Sequence, residues 1–149
     1  MKFRTAALLA ACLWQSPAFA AASLAPPPSA ADEAQIDKLI DPFFTAIRSG
    51  QTRKAVTDYM TTNAMMRAKT SELEYVVVQT DGVFAAYGRL GDCQLNEKTA
   101  IGSWAETRLY ICQHEKYLTR WIFTVIKPAG TWQAATFRYD DKITLDSSQ

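Results

Sequence analysis

The spacing of apolar residues divides the chain into a helical first half and a strand-forming second half. Between residues 36 and 47, apolar residues recur at the three- and four-residue steps of one helix face. Ser29 or Asp32 can cap the start of this helix, and Gly50 stands where it would end. Pro42 predicts a kink or a split inside it. The apolar positions are Ile36, Leu39, Ile40, Phe43, Phe44 and Ile47.

Two more helices are predicted before residue 91. The first covers residues 52–60, and the second begins at Ser71, where Ser71 and Glu74 have the spacing of a capping box. Gly88 or Gly91 would end the second helix. The inward positions are Ala55, Val56, Tyr59 and Met60 in the first helix and Leu73, Val76, Val77, Thr80, Phe84 and Tyr87 in the second.

After residue 93 the apolar period changes from 3.6 to 2, which indicates strands. Four strands are predicted, at residues 94–101, 104–113, 118–126 and 131–139. The separators between them are short, so the strands should form an antiparallel meander. The expected fold class is therefore α+β, with three N-terminal helices packed on a four-stranded antiparallel sheet.

The first hairpin has a register that brings two cysteines together. If Gly102 and Ser103 form a two-residue loop, Glu97 faces Arg108 and Cys93 faces Cys112. Directly opposed residues are close enough for a disulfide, whereas the alternative is two free thiols in a coincidental register. A bridge would enclose residues 94–111 and stabilise the fold by about 3 kcal/mol.

The same alternation assigns residues to the two faces of the sheet. Trp121 and Phe123 share a face with Arg108 and Tyr110, and Phe137 would lie opposite Trp121 if the last turn is tight. The other face would be apolar for a surface exposed to solvent. It should therefore be covered by a partner subunit, giving a homodimer, or by the C-terminal segment. Its residues are Leu109, Ile111, Ile122, Thr124, Ile126 and Trp132.

The first twenty residues have the layout of a secretory signal peptide. Lys2 and Arg4 precede a short apolar stretch, and Ala18-Phe19-Ala20 is a cleavage sequence, which predicts cleavage after Ala20. The alternative is a lipoprotein anchored at Cys12, because residues 9–12 resemble a bacterial lipobox. Either route predicts a bacterial exported protein, periplasmic or secreted, in which a disulfide can persist.

Composition and charge indicate the domain bounds and exclude some classes of partner. Residues 21–31 are rich in Ala, Ser and Pro and predict a flexible leader, followed by one domain over residues 32–142 and a flexible tail over 143–149. No apolar run is long enough for a transmembrane segment. The formal net charge is +1, or −1 once Lys2 and Arg4 are removed, and neither value favours a nucleic acid partner. No metal cluster or cofactor motif is expected.

The order of these elements, three helices and then four long strands, resembles the nuclear transport factor 2-like superfamily, which is also described as SnoaL-like. The segment Phe44 to Gln51 resembles the helix–Gly–helix opening of that superfamily, and Gly130-Thr131-Trp132 followed by Phe137-Arg138-Tyr139 resembles its last strand, including that of exported bacterial members. The resemblance covers about residues 32–141. It implies a curved sheet around a conical pocket, in a fold that hosts isomerases and dehydratases as well as binding proteins and dimers.

Candidate ligand-binding residues follow from that implied pocket. A general base or acid in such a pocket would be a carboxylate or a His–Asp pair, but the one histidine, His114, is predicted to be a solvated turn residue. No catalytic residue is therefore assigned. The candidates, which include the charged group of Glu97, Arg108 and nearby Glu106, are Tyr59, Asp81, Tyr87, Glu97, Arg108, Tyr110 and Trp121.

Three functions remain open from the sequence. The favoured one is a non-enzymatic exported module that binds a small apolar ligand or a protein partner. The second is a lyase or isomerase acting on a small apolar molecule in the pocket. The third is a scaffold component of an envelope or secretion assembly.

Overall fold

A computed structural model describes residues 26–143 as four helices followed by a four-stranded sheet. The sheet is antiparallel throughout, with strands in chain order, so the predicted α+β class and meander are confirmed. The predicted signal peptide, its cleavage at Ala20, the lipobox Cys12, the first part of the leader and residues 144–149 lie outside the described residues. The elements are α1 (Ala30–Arg48), α2 (Thr52–Met60), α3 (Ala64–Arg67), α4 (Thr70–Tyr87), β1 (Leu90–Ile101), β2 (Ala105–His114), β3 (Leu118–Ile126) and β4 (Gln133–Asp140).

Among residues 26–143, no helix combines the length and the apolar character needed to cross a membrane.

Helix α1 is one continuous element that passes through Pro42, so Pro42 does not split it. Ser29 is its N-cap: the Ser29 side chain accepts from the Asp32 amide while the Asp32 carboxylate accepts from the Ser29 amide. This reciprocal pair satisfies two of the amides left unpaired at a helix start. The chain turns at Gly50, whose φ of +72° is accessible to glycine at little cost, and enters α2 directly.

The second half of the helical region differs from the prediction in two ways. The single-turn helix α3 was not predicted, because four residues are too few to show a helical period. The predicted capping box at Ser71 is wrong, since α4 is capped from Lys69 without a side-chain hydrogen bond. Glu74 instead pairs with Arg53 of α2 across the helix–helix contact. The end of α4 at Gly88 is as predicted.

The β1–β2 hairpin keeps the predicted cysteine pair through two compensating changes. Its loop has three residues rather than two, so Ile101 pairs with Ala105, and Lys98 rather than Glu97 pairs with Arg108. A bulge between Leu95 and Glu97 then adds one residue to β1 and restores the expected register beyond it. Cys93 and Cys112 are therefore opposed, and the predicted disulfide is confirmed.

The last hairpin also differs in register. Phe123, not Trp121, is opposite Phe137, and Trp121 is paired with Tyr139. The turn before β4 is longer than the tight turn assumed from the sequence, and a bulge next to Thr124 shifts the pairing again. A shift of two residues keeps every side chain on its face, so Phe137 still lies on the same side of the sheet as Trp121.

Helices α1 and α2 contribute most of the helical side of the core, which covers the inner face of β2, β3 and β4. Strand β1 is different: residues 94–101 are exposed, including those on the inner face of the sheet. The core is therefore centred on three strands, and β1 is an edge strand held to β2 by backbone pairing and the disulfide.

Candidate functional site

The space between α1 and the sheet is filled by aromatic rings. Phe43 of α1 makes edge contacts with Tyr59, Trp121, Phe123 and Phe137, with ring centroids 5.0 to 5.9 Å apart. Edge-to-face pairs of this kind are favourable beyond the area that they bury. The part of the molecule where a conical pocket was expected is thus occupied by the side chains of the protein itself.

Three predicted ligand-binding residues belong to this packed interior. Trp121 is fully buried, and Tyr59 and Tyr110 are 2% and 7% exposed. The Tyr59 hydroxyl lies 3.3 Å from the Thr124 carbonyl oxygen, to which it donates. Burial raises the pKa of Tyr59 and of Tyr110 above the usual tyrosine value, so both hydroxyls stay protonated. The structure brings these three residues together as neighbours in a core.

Arg108, a fourth predicted residue, is the buried centre of a charge cluster. Its side chain is 1% exposed and pairs with Glu106, which is 2% exposed, and with Glu33 and Asp37 of α1. The Arg108–Glu33 pair measures 2.7 Å. Burial opposes the charge on Arg108, but its hydrogen bonds to Glu106 and Asp37 raise its pKa above the usual value. We call Arg108, Glu106, Glu33 and Asp37 the Arg108 cluster; it attaches α1 to β2.

His114 is buried rather than solvated, so the prediction of a turn residue is wrong. It is 4% exposed because it occupies the last inward position of β2. Its Nδ1 lies 3.0 Å from the Gly88 carbonyl oxygen, and its Nε2 lies 2.9 Å from the Thr119 hydroxyl oxygen. Thr119 also accepts from the Trp121 indole at 2.8 Å. Because a carbonyl oxygen can only accept, Nδ1 carries a hydrogen and donates it to Gly88. The Thr119 hydroxyl links His114 to the Trp121 indole.

The other three predicted residues are dispersed. Asp81 is exposed on α4, and Glu97 is exposed on β1, where it accepts from Thr99 at 3.1 Å. The Tyr87 hydroxyl donates to Asp141 at 2.8 Å, and this hydrogen bond raises the pKa of Tyr87. Glu97 therefore lies apart from the Arg108 cluster. The ion pairs with Arg108 that were expected from Glu97 are made by Glu33 and Asp37 instead.

Asp32 is a structural residue whose wider role the sequence did not indicate. Besides its contacts with Ser29, it accepts from Lys127 Nζ at 2.5 Å and from the Trp132 indole at 2.8 Å. The hydrogen bond from Lys127 is the largest of several that lower the pKa of Asp32 well below its usual range. These contacts join the start of α1 to the β3–β4 turn across about a hundred residues of sequence, a separation that no local pattern records.

Trp132 was expected on the outer face, and that prediction is wrong. It precedes β4, is 3% exposed and belongs to the core. The middle of the outer face is apolar as predicted, with Leu109 and Ile111 half-buried and Ile122 8% exposed. A shallow depression of about 180 Å³ lies there, lined by Glu97, Thr99, Thr107, Leu109, Ile122 and Arg138.

The buried polar side chains of residues 26–143 are paired within the protein. No buried side-chain nitrogen or oxygen in this part of the chain lacks a hydrogen-bond partner. Within the same residues, no three His, Cys, Asp or Glu side chains are placed to hold a metal ion. Comparison with protein-family profiles, curated proteins and solved structures finds no match to this chain.

Proposed function

We propose that this protein is a non-catalytic exported module that acts by binding another protein through the outer face of its sheet. The observation that carries the proposal is the filled interior, in which aromatic rings take up the space that a substrate would need. An enzyme of the lyase or isomerase type would need a base that reaches a bound molecule. The buried carboxylate Glu106 is instead paired with Arg108.

The outer face has the composition of a binding surface. Its apolar middle, Leu109, Ile111 and Ile122, is bordered by the charged side chains of Glu97 and Arg138. An apolar centre with a polar rim is the usual anatomy of a protein–protein interface. We propose a second copy of the chain as the first partner, in accord with the resemblance to a superfamily in which dimers are common.

Sedimentation equilibrium of the full chain tests this proposal. We expect a dimer at micromolar concentration, and we expect Leu109→Lys to weaken dimerisation by about a hundredfold, because it buries an unpaired charge in an apolar interface. The matched control is Tyr75→Lys on α4, where the side chain is 66% exposed and away from the outer face; its dimerisation should equal that of the wild type.

A wild-type chain that stays monomeric at these concentrations would contradict self-association through this face. Equal weakening by Leu109→Lys and Tyr75→Lys would place the interface elsewhere.

A further inference from the structure

A surface cavity of about 460 Å³ lies where the C-terminal end of α1 meets the start of β1 and the end of β2. Its volume is within the range of pockets that hold small molecules. The buried side chains of Leu90 and His114 line part of it, and both ring nitrogens of His114 already have hydrogen-bond partners. A ligand would therefore meet the charged side chains of the cavity, all of them on exposed residues: Arg48, Arg89, Asp92 and Glu115.

Two of these four charges balance one another. The Arg89 guanidinium pairs with the Glu115 carboxylate at 2.7 Å, and the same carboxylate accepts from the Arg89 amide at 3.2 Å. This pair adds no net charge to the cavity. The charges that a ligand can neutralise are those of Arg48 and Asp92.

Arg48 is held in place by contacts that leave its terminal nitrogens unused. Its Nε donates to the Gly91 carbonyl oxygen at 2.8 Å, and its guanidinium carbon lies 5.9 Å from the centre of the Phe44 ring, a cation–π distance. Within residues 26–143, no carboxylate pairs with Arg48, and its Nη1 and Nη2 have no hydrogen-bond partner. A guanidinium fixed in this way presents N–H groups that can bind a carboxylate through two parallel hydrogen bonds.

Asp92 lies next to this guanidinium because of a bulge in β1. Between the paired positions 90 and 93, Gly91 and Asp92 are opposite a single residue of β2, Gln113. The carbonyl group that accepts from Arg48 therefore belongs to the residue directly before Asp92. No cation of the described residues forms an ion pair with the Asp92 carboxylate, Arg48 included. An unpaired cation and an unpaired anion thus line the same cavity.

We propose that this cavity binds a small zwitterion of the α-amino acid class. The Arg48 guanidinium donates to the carboxylate of the ligand, and the Asp92 carboxylate accepts from its ammonium group. A simple anion would also meet the charge of Asp92, and a simple cation would also meet that of Arg48, so a ligand with both charges is the best complement. The cavity shares no residue with the depression on the outer face of the sheet, so this site goes beyond the protein interface proposed above.

Heteronuclear NMR of the isotope-labelled full chain tests this proposal, with L-leucine as the probe because its side chain carries no charge. We expect saturable shifts of the Arg48 Nε–H and Asp92 amide signals, with a Kd of about 1 mM because both charges lie on exposed residues. N-acetyl-L-leucine lacks the ammonium group and L-leucinamide lacks the carboxylate. Each should bind about fivefold more weakly than L-leucine.

Matched variants assign each charge of the ligand to one side chain. Arg48→Gln should bind L-leucine and L-leucinamide equally, and Asp92→Asn should bind L-leucine and N-acetyl-L-leucine equally, because each variant lacks the group that distinguishes the two ligands. The control is Arg67→Gln, which should bind like the wild type. Arg67 Nε also donates to a carbonyl oxygen, that of Thr61 at 2.8 Å, but Arg67 does not line the cavity.

Three results would overturn the proposal. If the wild type binds N-acetyl-L-leucine or L-leucinamide as tightly as L-leucine, the cavity takes a simple anion or a simple cation. If no signal shifts at about 20 mM L-leucine, the cavity binds no such ligand. If Arg67→Gln weakens binding as much as Arg48→Gln, the contact is non-specific. The dimer test at Leu109 is independent, and its failure would leave these results unaffected.

Discussion

Asp32 lies where three parts of the chain meet, so its charge should matter to the stability of the whole fold. Its carboxylate accepts hydrogen bonds from Ser29, Lys127 and Trp132. Because the folded state lowers the pKa of Asp32, the charged form stabilises the fold at pH values above the unfolded pKa of about 3.9. This contribution disappears as the pH falls through the lower pKa of the folded state.

We predict that Asp32→Asn lowers the melting temperature at pH 7 and that the difference from the wild type shrinks as the pH falls below about 4. Thermal unfolding followed by circular dichroism between pH 7 and pH 2 measures this. Asp58→Asn is the control, because Asp58 pairs with Lys54 at a site where both side chains are 61% exposed, and it should change little at either pH. If Asp32→Asn lowered the melting temperature equally at pH 7 and at pH 2, the role assigned to the Asp32 charge would be contradicted.

Arg108 is the second residue whose charge stabilises the fold. Its guanidinium is buried with Glu106, and removal of one member of a buried pair leaves the other without compensation. We predict that Arg108→Met costs about 3 to 5 kcal/mol in the free energy of unfolding, measured by urea denaturation. The double variant Arg108→Met with Glu106→Leu should recover part of this loss, since it removes the stranded carboxylate. A double variant that is less stable than either single variant would contradict this explanation.

At the scale of elements, the disulfide stabilises β1, an edge strand that is largely exposed. Residues 94–101 of β1 bury little apolar surface, so pairing with β2 and the Cys93–Cys112 bridge are what hold the strand. We predict that Cys93→Ala with Cys112→Ala lowers stability by about 3 kcal/mol. Hydrogen exchange should show protection lost first in β1, while β3 amides keep the protection of global unfolding. Uniform loss of protection across the four strands would contradict this prediction.

The elements also show how far the sequence can be interpreted. Apolar periodicity predicted α2 with its observed bounds, located the other long helices and gave four antiparallel strands, because each of these buries a continuous stripe or face. The hairpin register was predicted correctly at Cys93 and incorrectly at Glu97. A three-residue loop and a bulge offset each other, and neither changes the alternation of apolar residues that the prediction used.

The candidate site was less predictable than the fold. The sequence correctly placed Arg108, Tyr110 and Trp121 on one face, but it could not show that Phe43 fills the space in front of them. It also could not find Asp32–Trp132 or His114–Gly88, because each contact joins elements whose relative position depends on the whole packing. Periodicity reports which face is buried and does not report what is buried against it.

At the scale of the whole molecule, the packing of the interior decides whether a ligand can bind inside the fold or only at its surface. Phe43 lies at the centre, 2% exposed, with five aromatic rings around it. Replacing it by alanine should cost about 3 to 5 kcal/mol, from lost burial and from the cavity left behind. A dry cavity lined by apolar groups binds small apolar molecules, so benzene should recover part of the stability of Phe43→Ala.

The wild type should behave differently, because the Phe43 ring occupies the space that the alanine variant opens. Differential scanning calorimetry with and without benzene tests both chains: the melting temperature should rise in Phe43→Ala and stay constant in the wild type. Phe84→Ala, at a half-buried position on the edge of the core, is the control, since its cavity would open to solvent and should gain nothing from benzene. A wild-type chain stabilised as strongly as Phe43→Ala would mean that the interior opens to ligands, and binding would then be assigned to the inside of the fold rather than to the outer face of the sheet.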